Sequence, residues 1–242
     1  MDFLAGEILA FDKPYRMTSF QLVARVRYLL CRHLGVKKLK VGHAGTLDPL
    51  ATGVEIVCTG RATKQIEALQ LHEKEYLAGL RLGATTPSFD LEHPIDATFP
   101  TEHISREMIE EVLHRFEGNI LQVPPVFSAC KIAGDRACDL ARKGRDVTLA
   151  AKRIHIEKIE IVQYDMPDVI LRVTCGKGTY IRALARDIGE ALGCGAHLTS
   201  LRRTRVGDVR VEQCHQLEDF PEWLSSLAPS KSSAALSEEK PA

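Results

Sequence analysis

Residues 42–53 read Gly-His-Ala-Gly-Thr-Leu-Asp-Pro-Leu-Ala-Thr-Gly and are the most distinctive stretch of this 242-residue chain. Three glycines and a proline favour tight backbone turns, so the stretch is predicted to be a loop inside a folded region. Such a loop would hold Asp48 in one place. Taken alone, the aspartate is more typical of a turn in which it binds nearby N–H groups before Pro49. His43 is equally typical of a histidine that packs within a loop.

The composition is that of a globular protein, with 45% hydrophobic and 26% charged residues. Lys plus Arg and Asp plus Glu both number 32, so the formal net charge is zero. This excludes a uniformly basic nucleic-acid coat but allows a local basic groove. No apolar run reaches the roughly 18 residues of a membrane span, and the acidic N-terminal stretch does not resemble a secretory signal. We therefore expect a cytoplasmic protein without membrane contact.

The seven cysteines contain no C-x-x-C pair. An odd set without paired spacing is typical of reduced thiols in a cytosolic protein. A zinc cluster would need Cys or His residues two to four positions apart, so no metal site is predicted.

Strands and helices alternate irregularly around the loop. Thr18-x-x-Gln21 is a capping box that begins a helix closed by Gly35. Further helices are expected at residues 105–117 and from Thr179 to about Leu192. The expected strands cover residues 7–12, 54–58, 74–82, 127–132, 154–162, 169–175 and 201–206. This order predicts an α+β fold with a large, mixed, mostly antiparallel sheet flanked by helices.

Residues 42–53 resemble the catalytic signature of the TruB family of pseudouridine synthases. The resemblance continues in the family's order over residues 7–208. It is carried by ILAFDKPYRMT (8–18), GRATK (60–64), KEY (74–76), PPVFSA (124–129), GTYIR (178–182) and AHLTSLRRTR (196–205). It implies a pseudouridine synthase fold in a single catalytic domain over residues 1–228, with an RNA-binding insert at 118–153. Residues 229–242 are expected to be a disordered tail.

Members of this family isomerise a uridine in RNA to pseudouridine. The stand-alone bacterial members act on uridine 55 in the TΨC loop of tRNA. The reaction detaches uracil from C1′, turns it and rejoins it through C5, and it needs neither metal nor cofactor. The resemblance therefore implies a tRNA-binding isomerase, which we expect to be a monomer.

Three residues carry the chemistry that the resemblance implies. Asp48 is the nucleophile, Arg182 holds its carboxylate through a planar guanidinium, and Tyr76 stacks on the flipped uracil. The Tyr76 hydroxyl is also a candidate base for the C5 proton. On spacing alone, Arg182 is more typical of a solvated helix charge, and Tyr76 is equally typical of a core residue.

Other residues are assigned supporting roles by the same comparison. His43 takes a place in the stack of the opened RNA loop, and Leu201 and Ile181 form apolar walls of the pocket. The residues expected to support the site are Lys13, Pro14 and Lys131.

Basic clusters, each alone typical of a solvated face, together predict a groove that follows the RNA backbone. Their members are Lys37, Lys38 and Lys40; Arg142, Lys143 and Arg145 with Lys152 and Arg153; and Arg202, Arg203 and Arg205.

Two departures from the family pattern are relevant. Glu55 replaces an apolar residue after Gly53-Val54, and we expect it to lie at a strand edge. The segment after Val206 is too short for the PUA domain that many members carry, so the expected form is the short one, with RNA contacts from the catalytic domain.

Two other function classes compete with the isomerase. One is a tRNA-binding or folding module with weak or no catalysis. The other is a carboxylate-dependent hydrolase, which would want a second acid near Asp48.

Overall fold

The computed structural model describes residues 1–128 and 148–227, together with the backbone of two short strands between those ranges. The strands are β1 (Ile8–Lys13), β2 (Val41–His43), β3 (Ala51–Thr59), β4 (Lys74–Leu82), β5 (Ala84–Thr85), β6 (Ala97–Thr98), β7 (Gly118–Gln122), β8 (Lys131–Ile132), β9 (Asp135–Arg136), β10 (Lys152–Asp165), β11 (Asp168–Cys175), β12 (Ala196–Val206), β13 (Val209–Arg210) and β14 (His215–Gln216). The helices are α1 (Ser19–Leu34), α2 (Ile66–Leu69), α3 (Arg106–His114), α4 (Ile181–Ala191) and α5 (Phe220–Ser226). Two 3₁₀ helices cover Gly60–Gln65 and Val211–Gln213.

Helix α1 begins and ends at the residues that its capping pattern predicts. The Thr18 hydroxyl accepts a hydrogen bond from the Gln21 N–H at 3.1 Å, and the Gln21 side chain accepts one from the Thr18 N–H at 2.8 Å. Gly35, with a φ of 67°, ends the helix in the left-handed region. Both ends are therefore determined by local sequence.

The chain divides into two compact units. The first unit consists of Met1–His72 together with the chain from Thr204 onward, and its strand order is β14-β1-β3-β12. Strand β1 pairs antiparallel with β3 and parallel with β14, and β2 pairs antiparallel with β3. Alternate residues of β3 face opposite sides of the sheet, so Val57 joins the core under α1 while Ile56 joins the core on the other side.

The second unit consists of Glu73–Arg203, and its strand order is β12-β4-β11-β10-β7. The pairs β4–β11, β11–β10 and β10–β7 are antiparallel. Helix α3 ends at His114, earlier than predicted, because the N–H groups of Arg115, Phe116 and Glu117 bond to carbonyls three residues back. The core of this unit includes Ile109 and Val112 of α3 and Leu184 and Ile188 of α4.

The predicted fold class is confirmed, since the sheet is mixed and mostly antiparallel and helices accompany it. Strand β3 begins at Ala51, so the last part of the predicted loop is a strand; Gly53 pairs there with Lys13 of β1. The single catalytic domain over 1–228 and the insert at 118–153 stay predictions, and the tail at 229–242 lies outside the described residues. No helix within the described ranges is long and apolar enough to cross a membrane.

His215 of β14 packs among aromatic rings of the first unit. Its ring centroid lies 4.2 Å from that of Trp223 and 5.6 Å from those of Phe11 and Phe220. Burial disfavours the charged imidazolium and lowers the pKa of His215 below its usual value.

The free energy of unfolding should therefore fall as the pH drops below about 6.5, where the unfolded chain gains a proton that the folded His215 resists. Urea unfolding of wild type and His215→Phe between pH 7.5 and 5 measures this, and the variant should lose less stability on acidification. His103→Gln, at an exposed position, is the matched control. Equal pH dependence in wild type and His215→Phe would contradict the assignment.

Candidate active site

Asp48 lies on a short loop between β2 and β3. Its backbone carbonyl accepts a hydrogen bond from the Ala51 N–H at 3.0 Å, which closes a turn over Pro49 and Leu50. Gly45 adopts a φ of 122°, which L side chains rarely reach, so the loop needs glycine there. The side chain of Leu47, the preceding residue, is buried. The backbone on both sides of Asp48 is thus held in place, and Asp48 itself is partly exposed.

The Ser19 hydroxyl fixes the loop to the first residue of α1. It accepts a hydrogen bond from the Leu47 N–H at 2.9 Å and donates one to Glu55 Oε2 at 2.8 Å. Ser19 and Leu47 are both buried, so water does not compete with this bond. The residue next to Asp48 is therefore held by a contact that spans 28 positions in the chain.

Glu55 does not lie at a strand edge, and that expectation is wrong. Strand β3 has β1 on one side and β12 on the other, and the Glu55 side chain is fully buried. Besides Ser19, the carboxylate approaches His43, with Oε1 at 3.4 Å from Nδ1. A buried carboxylate is costly unless hydrogen-bonded, so these polar partners explain why the protein tolerates it. Glu55 thus contacts His43 at the start of the loop and, through the Ser19 hydroxyl, is linked to Leu47, the residue before Asp48.

Lys13 supports the other side of the loop. Its side chain is fully buried, and Nζ donates to the carbonyls of Pro14 at 3.1 Å, Met17, and Pro49 at 3.5 Å. An ammonium group carries three donors, which matches three carbonyl partners. The contact with Pro49 places Lys13 and Pro14 beside the residue that follows Asp48, as the sequence comparison implies. Their supporting role in the reaction stays a prediction.

Arg182 is the second residue of α4, in the second unit, and its guanidinium is enclosed. Nη1 donates to the Ser88 carbonyl at 3.2 Å and Nη2 to the Phe127 carbonyl at 2.8 Å. Nε lies 3.6 Å from Asp90 Oδ2, and the Arg182 side chain is only 4% exposed. Arg182 is therefore not a solvated helix charge, and its planar group is held by three partners of the second unit.

Sequence reasoning missed the segment that holds Arg182. Phe89, between Ser88 and Asp90, has a φ of 62°, unusual for a residue with a side chain. The Thr86 hydroxyl donates to the Asp90 carbonyl at 2.7 Å and stabilises the turn. The turn-forming residues of TPSFD (86–90) are the only local signal, and they do not indicate a partner for Arg182.

Tyr76 lies on β4 opposite Val173 of β11, and its side chain is buried. Lys74, two residues earlier on the same face, is also buried, and this lowers its pKa to about 8. Ile181 is buried at the start of α4, and Leu201 is half-buried on β12.

The predicted RNA-backbone residues have different environments. Arg203 is 2% exposed, so its guanidinium lies inside the second unit and a surface contact with phosphate is not supported. Arg202 and Arg205 are half-exposed, and Arg205 Nη1 donates to the Gly207 carbonyl at 3.0 Å. The residues whose side chains lie outside the described set are Lys131, Arg142, Lys143 and Arg145.

Comparison with known proteins agrees with the sequence resemblance. The TruB family pseudouridylate synthase N-terminal model matches residues 32–181, and the tRNA pseudouridylate synthase B C-terminal model matches residues 182–236. The chain belongs to the TruB family. The family resemblance drawn from the sequence is confirmed, and with it the class of enzyme, a pseudouridine synthase.

Relatives in the TruB family cover nearly the full chain. The tRNA pseudouridine synthase B of Phocaeicola vulgatus is 67% identical over 93% of this chain and 95% of its own length. That of Flavobacterium johnsoniae is 48% identical over 92% of this chain and 98% of its own length.

Solved structures give the same fold. A chain of the crystal structure of a Cbf5–Nop10–Gar1 complex has a TM-score of 0.67 and 31% identity. The match covers 91% of this chain and 55% of that chain, so this chain spans about half the length of that structural relative.

Glu55→Ala should lower the free energy of unfolding by about 2 kcal/mol or more, because it leaves the Ser19 hydroxyl without its carboxylate acceptor and opens a cavity. Glu55→Gln keeps a side-chain oxygen and the volume, and should lose less than half as much. Urea unfolding measures both, with the exposed Glu67→Ala as the control. If Glu55→Ala is as stable as that control, Glu55 does not anchor the loop.

Proposed function

We propose that this chain isomerises uridine 55 in the TΨC loop of tRNA to pseudouridine, with Asp48 as the nucleophile. The observation that carries the proposal is the anchored loop 42–53, which presents a carboxylate on a backbone fixed by Ser19, Glu55 and Lys13. The 67% identity to a tRNA pseudouridine synthase B over almost its whole length supports the substrate class.

The reaction exchanges one bond to the sugar for another. The N1–C1′ bond breaks, the uracil turns, and a C5–C1′ bond forms. The proton on C5 then leaves, and N1 of the product carries a proton. In this reaction Asp48 would lie beside C1′ and C6 of the flipped nucleotide, where an ionised carboxylate can attack carbon or stabilise positive charge. The bonds and protons of these steps balance with the protein, the RNA and solvent alone.

Residues of the second unit are proposed to bind the flipped uridine. Tyr76 stacks on the uracil, which returns part of the energy lost when the base leaves the RNA stack. Arg182 orients the reacting carboxylate, and its contacts with Ser88, Phe127 and Asp90 support this role because they leave the guanidinium little freedom. Leu201 and Ile181 form apolar walls, and His43 enters the stack of the opened loop.

The partner is proposed to be the T arm of tRNA, bound by a monomer in the cytoplasm. The described members of the predicted backbone groove that lie at the surface are Lys37, Lys38, Lys40, Lys152, Arg153, Arg202 and Arg205. Because the attraction is between cations and phosphates, we expect tRNA affinity to fall steeply from low to physiological salt.

Asp48→Asn should abolish pseudouridine formation while leaving the tRNA dissociation constant within about three-fold, because the carboxylate is needed in the transition state more than for docking. Mass spectrometry of nuclease digests gives the product, and filter binding gives the affinity. Asp208→Asn, at an exposed aspartate of the first unit, should behave as wild type. Turnover by a verified Asp48→Asn protein would refute the assignment, whereas free uracil from wild type would indicate a hydrolase.

Tyr76→Phe should keep uracil stacking but slow removal of the C5 proton if the hydroxyl is the base. The test is the isotope effect on pseudouridine formation from tRNA deuterated at C5 of uridine, which should rise in Tyr76→Phe relative to wild type. Tyr164→Phe, on β10, is the control. An unchanged rate and isotope effect in Tyr76→Phe would leave Tyr76 as a stacking residue only.

A further inference from the structure

Residues 13–47 carry an extreme local charge for a protein of zero net charge. This stretch contains eight of the 32 Lys and Arg residues and none of the 32 Asp and Glu residues. Helix α1 lies at its centre. The like charges within this stretch repel one another and lower the stability of the isolated protein. Folding stability therefore does not account for their clustering.

The two sides of α1 differ sharply. Leu22, Val26 and Leu30 are fully buried in the core of the first unit. The exposed surface of α1 carries Arg25 and Arg32 on one flank and Arg27 on the other, all exposed. Among the described residues, none of these three arginines forms an ion pair with a carboxylate. Their charges are therefore available to an external anion.

Aromatic rings lie between these cations on the exposed side. Phe20 is 73% exposed and Tyr28 is 53% exposed. The Arg25 guanidinium lies over the Tyr28 ring at 5.6 Å, and the Arg16 guanidinium over the Tyr15 ring at 5.5 Å. A guanidinium held against a ring keeps its donors turned outward and loses little freedom when it binds phosphate.

We define the α1 basic face as Arg16, Phe20, Arg25, Arg27, Tyr28 and Arg32. The face begins beside the catalytic loop, because Ser19 binds the N–H of Leu47, one residue before Asp48. A 16-residue helix extends about 24 Å. The exposed Lys37 and Lys38 follow it and continue the positive charge. The start of α1 therefore lies near Asp48, within reach of an RNA that delivers a uridine there.

We propose that the α1 basic face binds the phosphate backbone of the RNA stem that adjoins the target loop. This inference rests on the proposed function, and it assigns to α1 a share of the RNA affinity that arises outside the uridine pocket. Two copies of this chain pair poorly through this face, since two acid-free surfaces repel. A polyanion fits it through charge complementarity, and A-form RNA is recognised through its backbone and shape.

The experiment uses the full chain with Arg25, Arg27 and Arg32 all changed to Gln. Its dissociation constant for an in vitro tRNA transcript is measured from 50 to 300 mM salt. Each phosphate contact contributes about 0.7 to 0.9 to the slope of log affinity against log salt, so loss of three contacts should reduce the slope by about 2 to 3. We expect the dissociation constant at 0.15 M salt to rise about ten-fold. KM should rise more than kcat falls, because the arginines act on docking.

The control variant changes three exposed cations of the second unit, Arg106, Arg115 and Lys158, to Gln. Each of them pairs with a glutamate. This control removes the same charge from the protein, and its slope should change by less than about 1. Thermal unfolding checks that both triple variants fold, which we expect because the altered side chains are exposed.

Two further arms separate the outcomes. The triple arginine variant should lose as much affinity, relative to wild type, for a hairpin of the T arm alone as for the whole transcript. A loss seen only with whole tRNA would overturn the assignment to the adjoining stem. Equal slopes for the two triple variants would overturn the proposal entirely, as would a change in oligomeric state, by sedimentation, without a change in tRNA affinity. A wild type that binds tRNA with the expected slope but makes no pseudouridine would refute the proposed function and leave the surface assignment supported.

Discussion

The hydrogen bond from the Leu47 N–H to the buried Ser19 hydroxyl is the contact on which the loop that carries Asp48 depends. It fixes the residue before Asp48 to the start of α1, a helix whose position follows from its apolar face. The Glu55 carboxylate accepts a hydrogen bond from the same hydroxyl. Lys13 donates one to the carbonyl of Pro49, the residue after Asp48. In the role that we propose for Asp48, its carboxylate gains rate from such prior positioning, since little freedom remains to be lost when substrate binds.

The second unit uses the same principle for a cation. Arg182 is surrounded by two backbone carbonyls and Asp90, contributed by segments far from it in the chain. These partners fix the guanidinium plane, and a bidentate donor is useful only when that plane is fixed. The left-handed backbone at Phe89 places the Ser88 carbonyl and Asp90 side chain on either side of one turn. Backbone strain of this kind persists only where surrounding contacts hold the conformation. Here the buried hydrogen bond from the Thr86 hydroxyl to the Asp90 carbonyl holds it.

The sequence was informative where local chemistry determines structure. The Thr18 capping box and Gly35 predicted α1, and the signature at 42–53 predicted the family and the residue to test. Glu55 was misread because its burial depends on the register of β1 with β3 and on Ser19, 36 positions away. Asp90 was missed for the same reason, since only the tertiary fold brings it to Arg182. Arg203 looked like a surface cation by composition, yet its place on β12 buries it.

Helix α1 therefore anchors the loop of Asp48 at its first turn and carries cations along its exposed side. In the proposed reaction, the single positioned carboxylate of Asp48 isomerises a single uridine. The most direct measurement is tritium release from a tRNA transcript labelled at C5 of its uridines, compared with a transcript in which uridine 55 is replaced by cytidine. We expect release close to one proton per tRNA from the first transcript and none from the second. Release from both, or from neither while tRNA remains bound, would contradict this expectation.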